Sequence, residues 1–250
     1  MKRLFMTLVF WSIPTIGWAG ITFDGTDDLV TTSLDVDTYT SGTISWWQNN
    51  NFVYNDSATH AFWGETSGST EFSAQKYSDN NFYIGWTSTG GGDDRVVVAA
   101  SAGNSPQSTW IHYLLTWTDT GTSYFYANGT QIGSKANCSV ATINATFLVG
   151  KQGALNNFYN GKINEFAIWN AVLTDQEIAF LALSYVKGIP LQIQLANLKL
   201  YFPMDDQSDG TSADADTVRD LSGNGNNGTG NDGANNTGLP WSAEAVLSYP

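Results

Sequence analysis

The sequence predicts an all-β protein, a two-sheet antiparallel sandwich with one short helix in its C-terminal half. Three observations predict it. Residues 110–117 alternate, with Tyr113, Leu115 and Trp117 facing one way and His112, Leu114 and Thr116 the other, the period of a strand with two different faces. Asn128-Gly129 then sits between two alternating runs, and both residues tolerate the positive φ that a type I′ hairpin turn requires. Short apolar runs recur along the chain, separated by links rich in Gly, Ser, Asn and Asp.

The elements follow in order. Residues 1–19 read as a signal peptide: Lys2-Arg3 is a basic start, residues 4–16 are apolar, and Gly17-Trp18-Ala19 offers a small-x-small cleavage site. The mature chain is then expected to cover 20–250 as one domain, exported to the extracellular space or the periplasm, with no later run able to insert in a membrane. Residues 21–32 read as two strands around the turn Asp24-Gly25-Thr26-Asp27-Asp28. Residues 43–48 follow as a strand. Adjacent tryptophans in a strand point to opposite faces, so one of Trp46 and Trp47 enters the interior and the other lies on an outer face. Further strands are expected at 60–63, 71–77, 82–86 and 95–100. Thr174-Asp175-Gln176-Glu177 fits a capping box, and Ile178, Leu181 and Ala182 recur at helical spacing after it. Residues 198–201 form one more strand, and residues 207–238 read as a Gly-, Asn- and Asp-rich loop region.

Composition bounds the function. Of the residues, 42% are hydrophobic and only 13% charged, which supports a packed core and opposes disorder. Loss of Lys2 and Arg3 takes the formal net charge from −13 to −15. That excess opposes binding to nucleic acid or anionic membrane and suits bound cations. Cys138 is the single cysteine, so no intrachain disulfide forms and no multi-thiolate zinc site exists. His60 and His112 are the only histidines; His112, inside a strand, reads as a packed or hydrogen-bonded residue.

TFDGTDDLV, TISWW, the YFYANG hairpin, FLVGK, GKINEFAIWNAVLTDQEI, LKLYFPMDD and DLSGNGNNGT together resemble the concanavalin A-like, laminin-G/pentraxin-type jelly-roll modules. The resemblance implies two curved sheets packed face to face, carbohydrate-binding or adhesive function, and often calcium. The order departs from the family's: the LKLYFPMDD strand and the DLSGNG loop usually precede the FDG turn, and here they come last. Either they begin a second copy or they complete the first by circular permutation. A lone strand with a polar tail would leave Leu198, Leu200 and Phe202 without a core, which favours permutation.

Jelly-roll glucanases of similar fold use two glutamates about 5 Å apart, spaced E-x-D-x-x-E on one strand. This chain has five, Glu65, Glu71, Glu165, Glu177 and Glu244, and no two stand at that spacing. With no G-x-S-x-G elbow either, no catalytic residue is assigned and a glycoside hydrolase is disfavoured. Sugar binding would use aromatic faces, for which Trp46, Trp47, Trp63, Tyr83 and Trp86 are the candidates, against core packing as the ordinary role of such rings. Ca²⁺ takes hard oxygen ligands, for which Asp220, Asn224 and Asn226 form one candidate set and Asp24, Asp27 and Asp28 a second; plain Asx-turns explain the same residues. The expectation is a secreted, non-catalytic, lectin-like module that recognises a glycan or glycosylated surface. The alternative is a structural or protein-binding jelly roll with no sugar site.

Overall fold

The computed structural model describes residues 20–67, 70–87, 92–143, 145–153, 156–183, 189–205, 217–232 and 241–242. The expected signal peptide, and residues 207–216 and 233–238 of the polar region, lie outside them. The strands come in the expected order: β1 (Gly20–Asp24), β2 (Leu29–Thr32), β3 (Ser41–Asn50), β4 (His60–Ser67), β5 (Thr70–Lys76), β6 (Asn81–Trp86) and β7 (Val96–Ala99). Then follow β8 (Trp110–Thr118), β9 (Gly121–Ala127), β10 (Thr130–Cys138), β11 (Phe147–Val149), β12 (Asn160–Trp169) and the helix α1 (Asp175–Leu181). The chain closes with β13 (Leu198–Phe202), β14 (Thr217–Val218), β15 (Gly228–Asn231) and β16 (Trp241–Ser242).

These strands make two antiparallel sheets packed as a sandwich. The first runs β10-β9-β8-β3-β12-β1-β16, with β13 also on β12; the second runs β14-β15-β2-β11-β4-β5-β6-β7. The local signals explain the joints. Asn128 and Gly129 have φ of 47° and 74°, the pair of positive values that turns β9 into β10. Thr174 caps α1, its hydroxyl accepting from the Glu177 amide while the Glu177 carboxylate accepts from the Thr174 amide at 2.8 Å.

The last segment supplies strands to both sheets. On one edge of β12, β1 pairs with the first half (Ile21 opposite Ile163) and β13 with the second (Phe202 opposite Phe166). In the other sheet, β15 pairs along β2, from Gly228 opposite Thr32 to Asn231 opposite Leu29. Composition reads residues 228–231 as loop. The structure makes them a strand because packing, not flexibility, demands the glycine: a Cβ on Gly228 would stand 2.7 Å from Val30 Cγ1 and 3.0 Å from Phe202 Cζ.

Alternation sorts the side chains. Tyr113, Leu115 and Trp117 enter the interior with Trp46, Trp63, Phe72, Trp86 and Phe125. Leu114, Ala167, Trp169 and Tyr201 face outward and pack under Leu173, Ile178 and Leu181 of the helical segment. Truncating one of the interior tryptophans to Ala is worth about 3–5 kcal/mol by the usual scale for aromatic cores.

Candidate functional site

The aromatic candidates separate at once. Trp46, Trp63 and Trp86 have no exposed surface. Trp46 meets Trp63 edge-on at 5.6 Å, Trp63 stacks on Phe147 at 5.7 Å, and Trp86 stacks on Phe72 at 4.0 Å. A pyranose needs an open ring face, so these three are core residues and not sugar ligands. Trp47 does point to an outer face, but the helical segment covers it: it lies 5.2 Å from the His112 ring and lines a small enclosed cavity with Ser45, Glu165, Leu181, Ile189 and Pro190. Of the five candidates, Tyr83 alone keeps an accessible ring.

Tyr83 stands in a built environment on the outer face of the second sheet. β5 alternates, sending Phe72 and Ala74 inward and Glu71, Ser73 and Gln75 outward. Register sets Gln75 opposite Tyr83, and Ser73 between Gly64 and Gly85, two residues without side chains. Tyr77 meets Tyr83 edge-on at 4.6 Å. The Arg95 guanidinium lies 4.9 Å from the Tyr83 centroid and 5.5 Å from that of Tyr77, so one cation fixes both rings. The Tyr83 hydroxyl donates to Asp79 Oδ2 at 2.8 Å. Arg95 is neutralised by Asp93, with Nε 2.9 Å from Oδ1, and by Glu71. Burial raises the Glu71 carboxyl above its ordinary pKa, and Arg95 partly offsets that.

Gln152 arrives on this face from the β11–β12 connection and donates its amide to Glu71. Gln75 Nε2 donates to Ser73 Oγ at 3.2 Å. Both glutamines are buried, and the Oε1 of each has no hydrogen-bond partner. Neither oxygen has accessible surface, so both lie beneath this face and do not open onto it. Sequence reasoning named Tyr83 but missed Glu71, Ser73, Gln75 and Tyr77, although their alternation in EFSAQKY was legible. Gln152 carried no local signal; its partner is 81 residues away.

No acid pair forms. Thr66 stands opposite Glu71 and Phe72 opposite Glu65, so Glu65 points into the core while Glu71 points out. Both Glu65 oxygens are buried without partners, and burial, with the charges of Asp37 and Asp35, pushes its pKa up to about 9. Ser45 Oγ lies 2.8 Å from His112 Nε2, the spacing of a nucleophile and base. Both residues are buried, desolvation lowers the His112 pKa to about 3, and its Nδ1 has no partner to orient it. This pair is a packed hydrogen bond, as expected for His112.

The two calcium candidates differ. Asp220 Oδ1 accepts from the amides of Tyr201 and Ser222, and Oδ2 from that of Asn226, each at 2.9 Å. Asn224 Nδ2 donates to Leu198 O at 2.8 Å and Asn226 Nδ2 to Lys199 O at 2.9 Å. Asp220, Asn224 and Asn226 therefore fasten their loop to β13, and the Asp220 carboxylate already serves three backbone donors, the role of a structural turn. Asp24, Asp27 and Asp28 converge, with one ligand atom of each within 4.8 Å of the others.

The fold is that of a two-sheet antiparallel β-sandwich. The chain belongs to the concanavalin A-like lectin/glucanase superfamily, whose laminin-G profile matches residues 23–179. No curated protein matches it in sequence. A Bacteroides ovatus ATCC 8483 protein described as a candidate carbohydrate-binding protein is similar in structure, with a TM-score of 0.55, 19% identity, and 85% of this chain and 58% of that one covered. The receptor-binding domain of botulinum neurotoxin D is similar with a TM-score of 0.51 and 13% identity, covering 72% of this chain and 46% of that one. The chain thus spans less than two thirds of either protein, and at these identities the likeness is one of fold. Among the described residues, no helix is long and apolar enough to cross a membrane.

Proposed function

We propose that this protein is an exported, non-catalytic, lectin-like module that binds a neutral glycan on the outer face of its second sheet. The observation that carries the reading is the accessible Tyr83 ring, braced by Tyr77 and by the Arg95 guanidinium, with the exposed Asp79 carboxylate beside it. A sugar presents an apolar ring face to an aromatic side chain and hydroxyl donors to a carboxylate such as that of Asp79 at the same time. Arg95 holds both rings in place before the ligand arrives, which lowers the ordering cost of binding. Its charge is matched by Glu71 and Asp93, so Arg95 offers no net charge to a polyanionic sugar. Family membership supports the reading, since this superfamily combines lectins with glucanases and Glu65 and Glu71 lie on opposite faces.

A glycan array on the mature chain tests it, followed by calorimetry on the best neutral hit. Tyr83→Ala and Asp79→Ala are each expected to weaken binding about tenfold, which is 1.4 kcal/mol. Silence across the neutral glycans, or unchanged affinity in both variants, removes this function and leaves the structural or protein-binding jelly roll.

A further inference from the structure

The connection between β3 and β4, residues 51–59, is clamped by one carboxylate. Asp56 Oδ2 accepts from His60 Nε2 at 2.7 Å, and Oδ1 accepts from Lys76 Nζ at 2.5 Å and from the Ala58 amide at 3.1 Å. Lys76 Nζ also donates to Ala58 O at 3.1 Å. His60 opens β4 and stands opposite Lys76 of β5, so strand pairing fixes where both donors lie. The Lys76 side chain is fully buried, that of His60 is 12% exposed and that of Asp56 21% exposed. The His60 ring stacks on Phe52 at 3.6 Å, and Phe52 meets Tyr159 edge-on at 6.2 Å.

The stem and the tip of this loop are held differently. At the stem, the Asn51 amide donates to Asn160 O at 3.1 Å, and Asn51 O accepts from Gln107 Nε2 at 2.9 Å. At the tip, the Ser57 amide donates to Asn80 Oδ1 at 3.0 Å, and Ser57 holds φ at 58°, a left-handed value that strains a serine. Val53 and Tyr54 of the tip line a cavity of about 270 Å³ with Ala102, Ser105, Pro106 and Gln107 of the β7–β8 connection. The tip is a wall of that cavity, and Asp56 clamps it in place.

The clamp depends on the charge of His60. A carboxylate only accepts, so Nε2 carries a proton and a second proton must go to Nδ1. The charged groups around the ring are Asp56 on its own loop and Lys76 from β5. Burial, the largest influence, and the Lys76 ammonium oppose an imidazolium, while the hydrogen bond and charge of Asp56 favour it; the balance holds the His60 pKa below its ordinary 6.5. With the tip lifted, His60 is solvated and titrates at its ordinary value. The open loop then binds a proton that the closed loop refuses, so closure is fully favoured above pH 6.5 and is lost as pH falls toward the lowered value.

We propose that residues 52–59 form an acid-opened lid over this rim cavity, with His60 as its sensor and Asp56 as its latch. Lys76 sets the threshold, because its buried ammonium competes with an imidazolium for the same carboxylate. The lid needs no glycan and stands apart from sugar binding at Tyr83.

The test uses the full mature chain from about pH 7.5 to about pH 5. The second of the two histidines, His112, is buried with its pKa lowered to about 3, so the imidazole NMR signal that moves in this range is that of His60. His60 is expected to titrate below 6.5. Amide exchange in residues 52–59, corrected for the intrinsic effect of pH, is expected to report opening that rises up to about tenfold per pH unit, while residues 41–50 of β3 stay protected. His60→Gln keeps a donor for Asp56 and carries no charge, and is expected to leave the lid shut across the range. Titration of His60 at or above 6.5 overturns the proposal and needs no variant. So does acid-driven exchange that is equal in residues 52–59 and 41–50, or that persists unchanged in His60→Gln.

Discussion

Two loops of this protein share a texture and differ in fate. Both the Asp24–Asp28 turn and the loop that begins at Asp220 are short, rich in Asp, Asn and Gly, and close beside a strand. In the second, each oxygen of Asp220 already accepts backbone amides, from Tyr201, Ser222 and Asn226. In the first, one carboxylate oxygen of Asp28 is buried with nothing to accept from, and three further carboxylates stand near it. The difference teaches that texture alone does not say which carboxylates the backbone supplies with donors. Where the backbone supplies them, the carboxylate is structural.

The largest expected effect lies in the saturated loop. Asp220→Ala strands three amides that now share a charged acceptor, and a urea titration is expected to show a loss on the order of 4 kcal/mol. A mutant that keeps its stability would show that the three amides find other acceptors.

Glu65 sharpens the contrast, because it has neither backbone donors nor a hydrogen-bond partner of any kind. Its folded pKa, about 9, lies above the ordinary carboxyl value of 4.5, so the native state holds a proton that the unfolded chain releases between these values. This contribution is fully present below pH 4.5 and is lost as pH rises toward 9. Stability measured by denaturant across that window is expected to fall by up to about 1.4 kcal/mol per pH unit, and Glu65→Gln should flatten the slope. An identical slope in the variant would show that Glu65 is solvated or paired.

The smallest effect concerns the helix cap. Thr174 accepts one amide, that of Glu177, where Asp220 accepts three. Thr174→Ala is expected to lower stability by about 1 kcal/mol. A loss as large as that of Asp220→Ala would mean that the number of donors does not scale the effect.

The parts of this fold that were legible in the sequence are local. The alternation of residues 110–117, the Asn128-Gly129 turn and the Thr174–Glu177 box each act within a few residues, and each forms as its residue types require. The adjacent tryptophans had to face opposite ways, and they do: Trp46 packs inside and Trp47 outside. The candidate site was less legible. Burial of Trp63 and Trp86 depends on the opposing sheet, and Glu65 and Glu71 part company through the register of one hairpin.

The sequence by itself determined the sandwich, its turns, its single cap and the family to which the chain belongs, because period, turn chemistry and motif are properties of neighbouring residues. Only the tertiary structure decided which carboxylates meet donors and which meet one another. Asp220 finds the Tyr201 amide 19 residues back, Gln152 finds Glu71 81 residues back, and Asp232 comes beside Asp28 because β15 lies on β2. Hydrogen bonding and desolvation act at ångström range in space, and the chain brings those atoms together only once both sheets have closed.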